Sequence, residues 1–420
     1  MLTAKNCKAS TAVQYFTDDY EQGQTRWFGK GASALGLKGE IDRESFEHIC
    51  YGRSPDGTKY LGTKGDPDKR RAGTDFTFSA PKSVSLTALV GGDTRLEVAH
   101  RNAVEKTLAL IESRYAQTRI TKDKKVAEVK TGNIMVAQFD HIESRELDPH
   151  LHTHALVMNL TQAQSGKWYA NDNDLIFQNK KHLGTIYQAD LAAEVERLGY
   201  EIEPSPHGMF EIKGYKRENL VEFSKRRMQI LAQCPSNSTW QTREDSWERT
   251  RKHKEHIAST ELKARWQQEA TDLGIEIVKA GVLTVAQSIR QSRRFANDSE
   301  TTERFINDAI AHCLERSVDF SVEDIEKFVI AQRLPIDIAE IKPLCDARSD
   351  LIKLDRHYTT FRAQIQDEIG EPIQVEPLLD NVNESEAELD RQESVRVPTH
   401  GGGVKVPTHI VHSVTQILIR

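Results

Sequence analysis

Four histidines fall close together in this chain: His141, then His150, His152 and His154 within Asp148-Pro149-His150-Leu151-His152-Thr153-His154-Ala155-Leu156-Val157-Met158-Asn159. In an extended strand successive side chains point to opposite faces, so His152 and His154 share one side while Leu151, Thr153 and Ala155 take the other. Two imidazoles on neighbouring pleats can reach one cation. Neutral imidazole suits zinc, copper, nickel and iron, and three protein ligands with an open position are what a catalytic metal requires. Spacing alone does not name the third ligand. His150 shares the parity of His152 and His154, yet three consecutive same-face residues span too much strand to converge easily on one ion. His141 precedes a polar, proline-containing turn, Ile142 to Pro149, that would bring a neighbouring strand alongside. A histidine from that strand is the better third ligand. A pair of histidines with satisfied hydrogen bonds would give the same local pattern, so context must decide.

A second kind of chemistry is available near the start, where Ala12-Val13-Gln14-Tyr15-Phe16-Thr17-Asp18-Asp19-Tyr20 carries two tyrosines. A phenol, with a pKa of about 10 in a model peptide, becomes a covalent nucleophile only when a base or a metal activates it. Alone, Tyr15 and Tyr20 are ordinary residues of an amphipathic helix.

The elements that must position these groups show as patterns. Thr74 to Phe78 alternates β-branched and aromatic residues and is stopped by Ser79-Ala80-Pro81, as a strand would be. Asp93 is an N-cap signal for a helix with Leu96, Val98, Ala99, Ala103, Val104, Leu108 and Ile111 at helical spacing. Thr131 to Phe139 is a second strand pattern and the histidine run a third. Leu183, Ile186, Tyr187, Leu191, Val195 and Leu198 mark a helix stopped by Gly199. Strands and helices mix without a βαβ rhythm, which predicts an α+β domain with an antiparallel sheet.

Residues 236–300 turn polar and helical, with Trp240, Trp247 and Trp266 among Arg243, Arg249, Arg251, Lys252, Lys254, Lys263 and Arg265. Rings for base stacking with cations for phosphate look like this, as does a solvated helix burying its tryptophans. A further helical unit follows at 301–370, including Val322 to Ile330. Residues 371–420 fit a disordered tail: Asp380 to Glu393 is acidic and weakly apolar, and Val-Pro-Thr-His recurs around Gly401-Gly402-Gly403. His400, His409 and His412 in that tail could hold a metal loosely, although a flexible end is the simpler reading.

At 420 residues the chain is long enough for two or three domains. No run approaches the ~18 apolar residues of a membrane span, and Met1 to Asn6 lacks the apolar core of a signal peptide. The five cysteines, Cys7, Cys50, Cys234, Cys313 and Cys345, are far apart and form no Cys-X-X-Cys pair, which favours reduced thiols and a cytoplasmic location. The net charge of -6 is uneven, because residues 1–235 hold 33 Lys and Arg against 31 Asp and Glu, leaving 24 against 32 for the rest. The part with the histidines is the less acidic one, which removes an objection to nucleic-acid binding.

Taken in order and spacing, Tyr15, the segment Trp27 to Leu37 (WFGKGASALGL), Thr74 to Leu89 (TDFTFSAPKSVSLTAL), and His141 with Leu151 to Asn159 (LHTHALVMN) resemble the relaxase domain of the MobF-type conjugative relaxases, a group of the HUH endonucleases. The resemblance continues through Thr161 to Tyr169 and Gly184 to Phe223 and covers roughly residues 1–300. It implies a five-stranded antiparallel sheet flanked by helices, with a three-histidine site for a divalent metal ion (Mg, Mn or Zn). Onto that site His141, His152 and His154 map as ligands, Tyr15 as nucleophile, and Asp75 as a group that orients a ligand histidine or helps deprotonate the tyrosine. His150 maps to no ligand. Where the family carries a Tyr-Tyr pair this chain has Tyr15-Phe16, and Tyr20 stands where a second catalytic tyrosine is expected, after a shorter intervening segment.

The implied substrate is single-stranded DNA with an adjacent hairpin at a plasmid transfer origin, nicked through a 5′-phosphotyrosyl intermediate and later rejoined. Accessory relaxosome and coupling proteins are the implied partners, with no membrane insertion. Lys69, Arg70 and Arg71 would form a basic ribbon on duplex DNA, Lys82 and Arg145 would contact phosphates, and the helices of 236–300 would cover the single strand. Ser317 to Ile330 and Leu351 to Thr360 resemble the opening of the helicase half of these relaxases, but no Gly-X-X-X-X-Gly-Lys-Ser/Thr loop occurs in the sequence. The expectation is a relaxase with a truncated helicase half and no ATPase or helicase activity. Three alternatives compete: a rolling-circle replication initiator, in which the histidine motif would precede the tyrosine; a three-histidine metal hydrolase, whose activity would survive Tyr15→Phe; and a non-catalytic DNA-binding remnant.

Overall fold

The strand patterns around Thr74 and the histidine run become neighbours in the middle of a five-stranded sheet. The computed structural model describes residues 1–17, 24–122, 124–205, 208–232, 257–281, 299–334, 336–354, 357–360 and 363. Tyr20, Trp240, Trp247 and the tail 371–420 lie outside them.

The chain begins β1 (Leu2–Lys8), α1 (Ala9–Thr17), β2 (Thr25–Phe28), α2 (Lys30–Ala34), α3 (Arg43–Cys50), β3 (Arg71–Ser79), α4 (Lys82–Leu89) and α5 (Arg95–Tyr115). It continues through β4 (Gln117–Lys122), β5 (Lys125–Lys130), β6 (Val136–Glu143), β7 (Pro149–Met158), β8 (Thr161–Gln162), β9 (Trp168–Tyr169), α6 (Asp174–Gln178) and α7 (Lys180–Arg197). After β10 (Ile202–Ser205) and β11 (Met209–Ile212) the rest is mainly helical: α8 (Arg217–Glu222), α9 (Lys225–Ala232), α10 (Ser259–Asp272) and α11 (Ser299–Leu314). Last come β12 (Phe320–Ser321), α12 (Val322–Ala331), α13 (Ile338–Ala347), β13 (Leu351–Leu354) and β14 (His357–Thr360). Among the described residues no helix is long and apolar enough to cross a membrane.

The main sheet runs in the order β1-β3-β7-β6-β2, antiparallel throughout. Both its faces are covered, because alternate residues feed two separate apolar cores. Phe76, Phe78, Leu151, Ala155 and Val157 face α4, α5 and α7, where they meet Leu86, Leu108, Leu183 and Tyr187. On the other face Ala137, Phe139, Leu156 and Met158 pack against Ala12 and Phe16 of α1 and Phe46 and Ile49 of α3. Gly73 shows how closely β3 and β7 approach, since a Cβ there would sit 2.3 Å from the Val157 carbonyl oxygen.

Two patterns expected from the sequence shift in the structure. The strand expected from Thr131 begins at Val136, because the preceding backbone takes other partners: the Glu112 carboxylate accepts from Ile134 N at 3.0 Å and Gly31 N donates to Ile134 O at 2.9 Å. The unit at 301–370 is not wholly helical, for β12, β14 and β13 form a small antiparallel sheet beside α11 to α13. It also shares the core of the first 300 residues. Ile306, Ile310, Ile325 and Val329 join Val104 and Leu108, the fully buried Glu326 binds Arg114 and, at 2.6 Å, His182 Nε2, and Tyr115 donates to Glu323 at 2.9 Å. Among the described residues, those of 301–370 pack in the same apolar core as the first 300.

Candidate active site

The β6–β7 hairpin places His141 directly opposite His152, with a bulge between His141 and Glu143. His154 follows two residues later on the same pleat face, as strand parity requires. One ligand atom from each of the three can be chosen so that all lie within 4.8 Å of one another, and the three rings stand 5.0 to 5.2 Å apart between centroids. His150 lies tilted against His152, 4.6 Å between ring centroids, but is not part of the converging set.

Two of the three rings are oriented from behind. His154 Nδ1 lies 2.7 Å from Asp75 Oδ2, with Thr77 Oγ1 at 3.3 Å, and β3 delivers both residues from the adjacent strand. His152 Nδ1 donates to the carbonyl of His150 at 2.8 Å. With Nδ1 engaged, each ring has its Nε2 left for a cation, the arrangement in which a carboxylate or carbonyl fixes the tautomer of a ligating histidine. Burial first, and then repulsion from His150, His141 and His154, holds His152 well below the usual imidazole range, so it stays neutral, which is the form that ligates. Burial and the nearby Lys82 cation act on His150 in the same direction. Three imidazoles converging without a carboxylate among them fit a divalent transition metal well.

Tyr15 reaches this cluster from α1. The next residue, Phe16, is 1% exposed and stacks on Phe139 at 4.4 Å, which pins the helix to the sheet. Tyr15 itself is partly exposed, edge-on to His154 with ring centroids 5.7 Å apart, and the Arg145 guanidinium stands 5.8 Å from the Tyr15 ring centre. Phenol, cation and histidine trio thus share one mouth of the sheet.

The basic residues expected to meet DNA divide into two groups. Lys69 is exposed, with a 3.7 Å contact to Asp66. Arg70 and Arg71 turn inward: Arg70 is half-buried against Gly52 and donates to Thr63 O at 3.3 Å, while Arg71 donates to Asn159 Oδ1 at 2.7 Å and Asn171 O at 3.0 Å. Lys82 is also inward, donating to Pro149 O at 2.7 Å, and burial lowers its pKa to about 8. Each of these three donates to a protein acceptor, so Arg70 and Arg71 do not stand out from the surface as Lys69 does. Trp266, read as either a base-stacking or a buried ring, is 2% exposed and donates through Nε1 to Leu147 O at 2.6 Å, so it is a buried one.

Sequence reasoning missed the polar chain behind the histidines. Thr153, between His152 and His154 but on the opposite face, donates to Asp140 Oδ1 at 2.6 Å, and Arg26 donates to Asp140 Oδ2 at 2.6 Å. Thr153 Oγ1 in turn lies 2.9 Å from His100 Nε2, and His100 Nδ1 lies 2.8 Å from Tyr187 OH. The available signal was position: His100 sits on the apolar stripe of α5 with Leu96, Ala103 and Val104.

Residues 3–273 match the family described as TrwC relaxase. Among curated proteins, the multifunctional conjugation protein TraI of Escherichia coli is 34% identical over 388 residues, which is 85% of this chain and 21% of that protein. The TraI of Escherichia coli strain K12 is 33% identical over 399 residues, 87% of this chain and 22% of its own length. The chain therefore spans about a fifth of the length of these relatives. Among solved structures, the conjugative relaxase TrwC in complex with oriT DNA in a metal-bound form has a TM-score of 0.62 and 36% identity, covering 66% of this chain and 100% of that one. TrwC with a 27-mer DNA comprising the recognition hairpin and the cleavage site has a TM-score of 0.61 and 35% identity over the same shares.

Proposed function

The chain belongs to the TrwC relaxase family, and we propose that it nicks and rejoins single-stranded DNA at a plasmid transfer origin, with Tyr15 as nucleophile. The observation that carries this reading is the edge-on approach of Tyr15 to His154, 5.7 Å between ring centres, at the mouth of the three-histidine cluster. His141, His152 and His154 would hold a divalent metal ion, which supplies Lewis-acid polarisation of the scissile phosphate when bound.

The remaining steps belong to the chain's own side chains. Asp75, 2.7 Å from His154 Nδ1, holds that ring in place; its other neighbour in the site is Thr77, which donates to the same carboxylate oxygen at 3.5 Å. Arg145, over the Tyr15 ring, supplies positive charge where the phosphate must come. The Tyr15 oxygen forms a bond to phosphorus, and the bond from phosphorus to the 3′ oxygen breaks. The phenol loses one proton and the departing 3′ oxygen gains one. The resulting 5′-phosphotyrosyl ester retains the energy of the phosphodiester, so the 3′-hydroxyl can attack it in reverse and rejoin the strand. Such a transfer is mostly positioning and electrostatics, which a pinned helix and a preformed histidine cluster provide.

The DNA is expected to contain a hairpin beside the cleavage site, as in the TrwC complex, with Lys69 as a phosphate contact. Coupling to accessory proteins of the transfer machinery belongs to the same reading. Tyr20, the candidate second tyrosine, lies outside the described residues, and the adduct assay below tests it together with Tyr15.

The test uses single-stranded oligonucleotides tiling the transfer origin of the element that encodes the chain, with Mn²⁺ or Mg²⁺ and a denaturing gel. A 5′-linked protein–DNA adduct is expected from the wild type and none from Tyr15→Phe. An adduct undiminished when Tyr15 and Tyr20 are both phenylalanine would sink the assignment, and cleavage without any adduct would favour a metal hydrolase.

A further inference from the structure

The loop that joins β6 to β7 is gripped by helices far away in the sequence. Leu147 at its tip adopts φ 60, a left-handed conformation that costs energy for a residue with a branched side chain and persists only where its surroundings impose it. Its carbonyl accepts the 2.6 Å hydrogen bond from Trp266 Nε1 of α10, and Trp266 is buried. The next residue, Asp148, is 1% exposed and lies 3.6 Å from Lys225 Nζ at the start of α9, and the same Nζ donates to Glu269 Oε1 of α10 at 2.5 Å. Two residues further on, the carbonyl of His150 accepts from His152 Nδ1.

This is a continuous mechanical path. α10 fixes Leu147, Pro149 with its locked φ stiffens the link, and the His150 carbonyl at the end of the link sets the tautomer and ring angle of a metal ligand. We propose that Trp266 is a positioning residue for the metal site, gripping the hairpin tip so that His152 presents Nε2 to the ion, with Lys225 bracing the grip between Asp148 and α10. The inference rests on the metal reading of His141, His152 and His154 given above. It also gives α10 a task other than covering DNA.

Metal affinity is the direct readout. The full chain, metal-free, is titrated with Co²⁺ while the visible absorption of the bound ion reports its coordination. Trp266→Phe keeps an aromatic ring, though a smaller one, and removes the donor, and is expected to weaken Co²⁺ binding about threefold to tenfold and alter the visible band. That is a smaller loss than the ~10–100-fold typical of a residue bonded directly to a ligand. Lys225→Met, at a partly exposed position, is expected to weaken binding in the same direction by a smaller factor. Val195→Ala, which opens a cavity in α7 on the opposite layer, is expected to lower Tm and leave affinity and spectrum unchanged. Wild-type affinity and spectrum in Trp266→Phe and Lys225→Met would overturn the inference, and Lys225→Met alone decides if Trp266→Phe does not fold. A wild type that binds no Co²⁺ would refute the metal reading itself.

Discussion

Two faces of the same strand carry buried histidine chemistry, and they differ in one respect. On one face of β7, His152 and His154 each commit a single nitrogen, Nδ1, to the protein, to the His150 carbonyl and to Asp75. Against the other face, His100 commits both, Nε2 to Thr153 and Nδ1 to Tyr187. Thr153 gives its own proton to Asp140, so it must accept from His100 Nε2–H, and His100 Nδ1 then accepts from the Tyr187 hydroxyl. That ring is neutral and fully used, and burial lowers its pKa to about 4. A buried histidine with both nitrogens satisfied is part of the core; two that each commit only Nδ1, converging with a third histidine, are equipped to bind an ion.

Substitutions can break this distinction or sharpen it. The largest effect is expected from His154→Ala, and likewise from His141→Ala or His152→Ala: Mn²⁺ or Co²⁺ affinity measured by calorimetry should fall more than about 100-fold, beyond the range of an outer-shell change. Equal affinity in all three would erase the difference between the faces. Next, Asp75→Asn removes the carboxylate behind His154 and should cost about 10–100-fold in metal affinity with little change in the Tm of the metal-free protein.

His100→Phe should do the reverse, lowering stability by roughly 1–3 kcal/mol in chemical denaturation, since Thr153 and Tyr187 lose their partner, while affinity changes less than about twofold. The same ring makes stability pH-dependent. Its folded pKa is depressed, so the unfolded chain takes up a proton first as pH falls. The contribution is present above about pH 6.5 and is lost towards pH 4, a change on the order of 3 kcal/mol that His100→Phe should flatten. The smallest effect is expected at the surface: Lys69→Ala should weaken oligonucleotide binding slightly and reduce the slope of log affinity against log salt by about 1, while Arg71→Ala should lower Tm instead. An equal salt slope in both variants would put Arg71 on the DNA after all.

What could be read in the sequence was whatever depends on short-range geometry. Strand parity pairs His152 with His154, and the length of the turn after His141 returns the chain as a hairpin, which is the register observed. Strand rise demoted His150, which shares the parity but lies too far along the strand to join the other two easily. The Asp75 to His154 contact, 79 residues apart, came only with the family resemblance, because nothing local to Thr74–Phe78 singles out its acidic residue. The inward turn of Arg71 and Lys82 was invisible for the same reason: their acceptors, Asn159, Asn171 and Pro149, lie 67 to 100 residues away. A triplet of basic residues beside a turn looks like exposed charge until the partners are known. Trp266 illustrates the converse, a ring in a polar helix whose partner, Leu147 O, is 119 residues upstream.

Everything proposed for the site depends on the phenol beside the histidines doing the chemistry that the histidines prepare. The most direct measurement is to trap the covalent adduct with transfer-origin DNA, digest it, and locate the nucleotide by mass spectrometry. The expected result is a 5′-phosphate on Tyr15, with the yield collapsing on chelation and in His154→Ala. An adduct at another residue with Tyr15 unmodified, or a Tyr15 adduct whose yield is indifferent to chelation and to His141, His152 and His154, would contradict it.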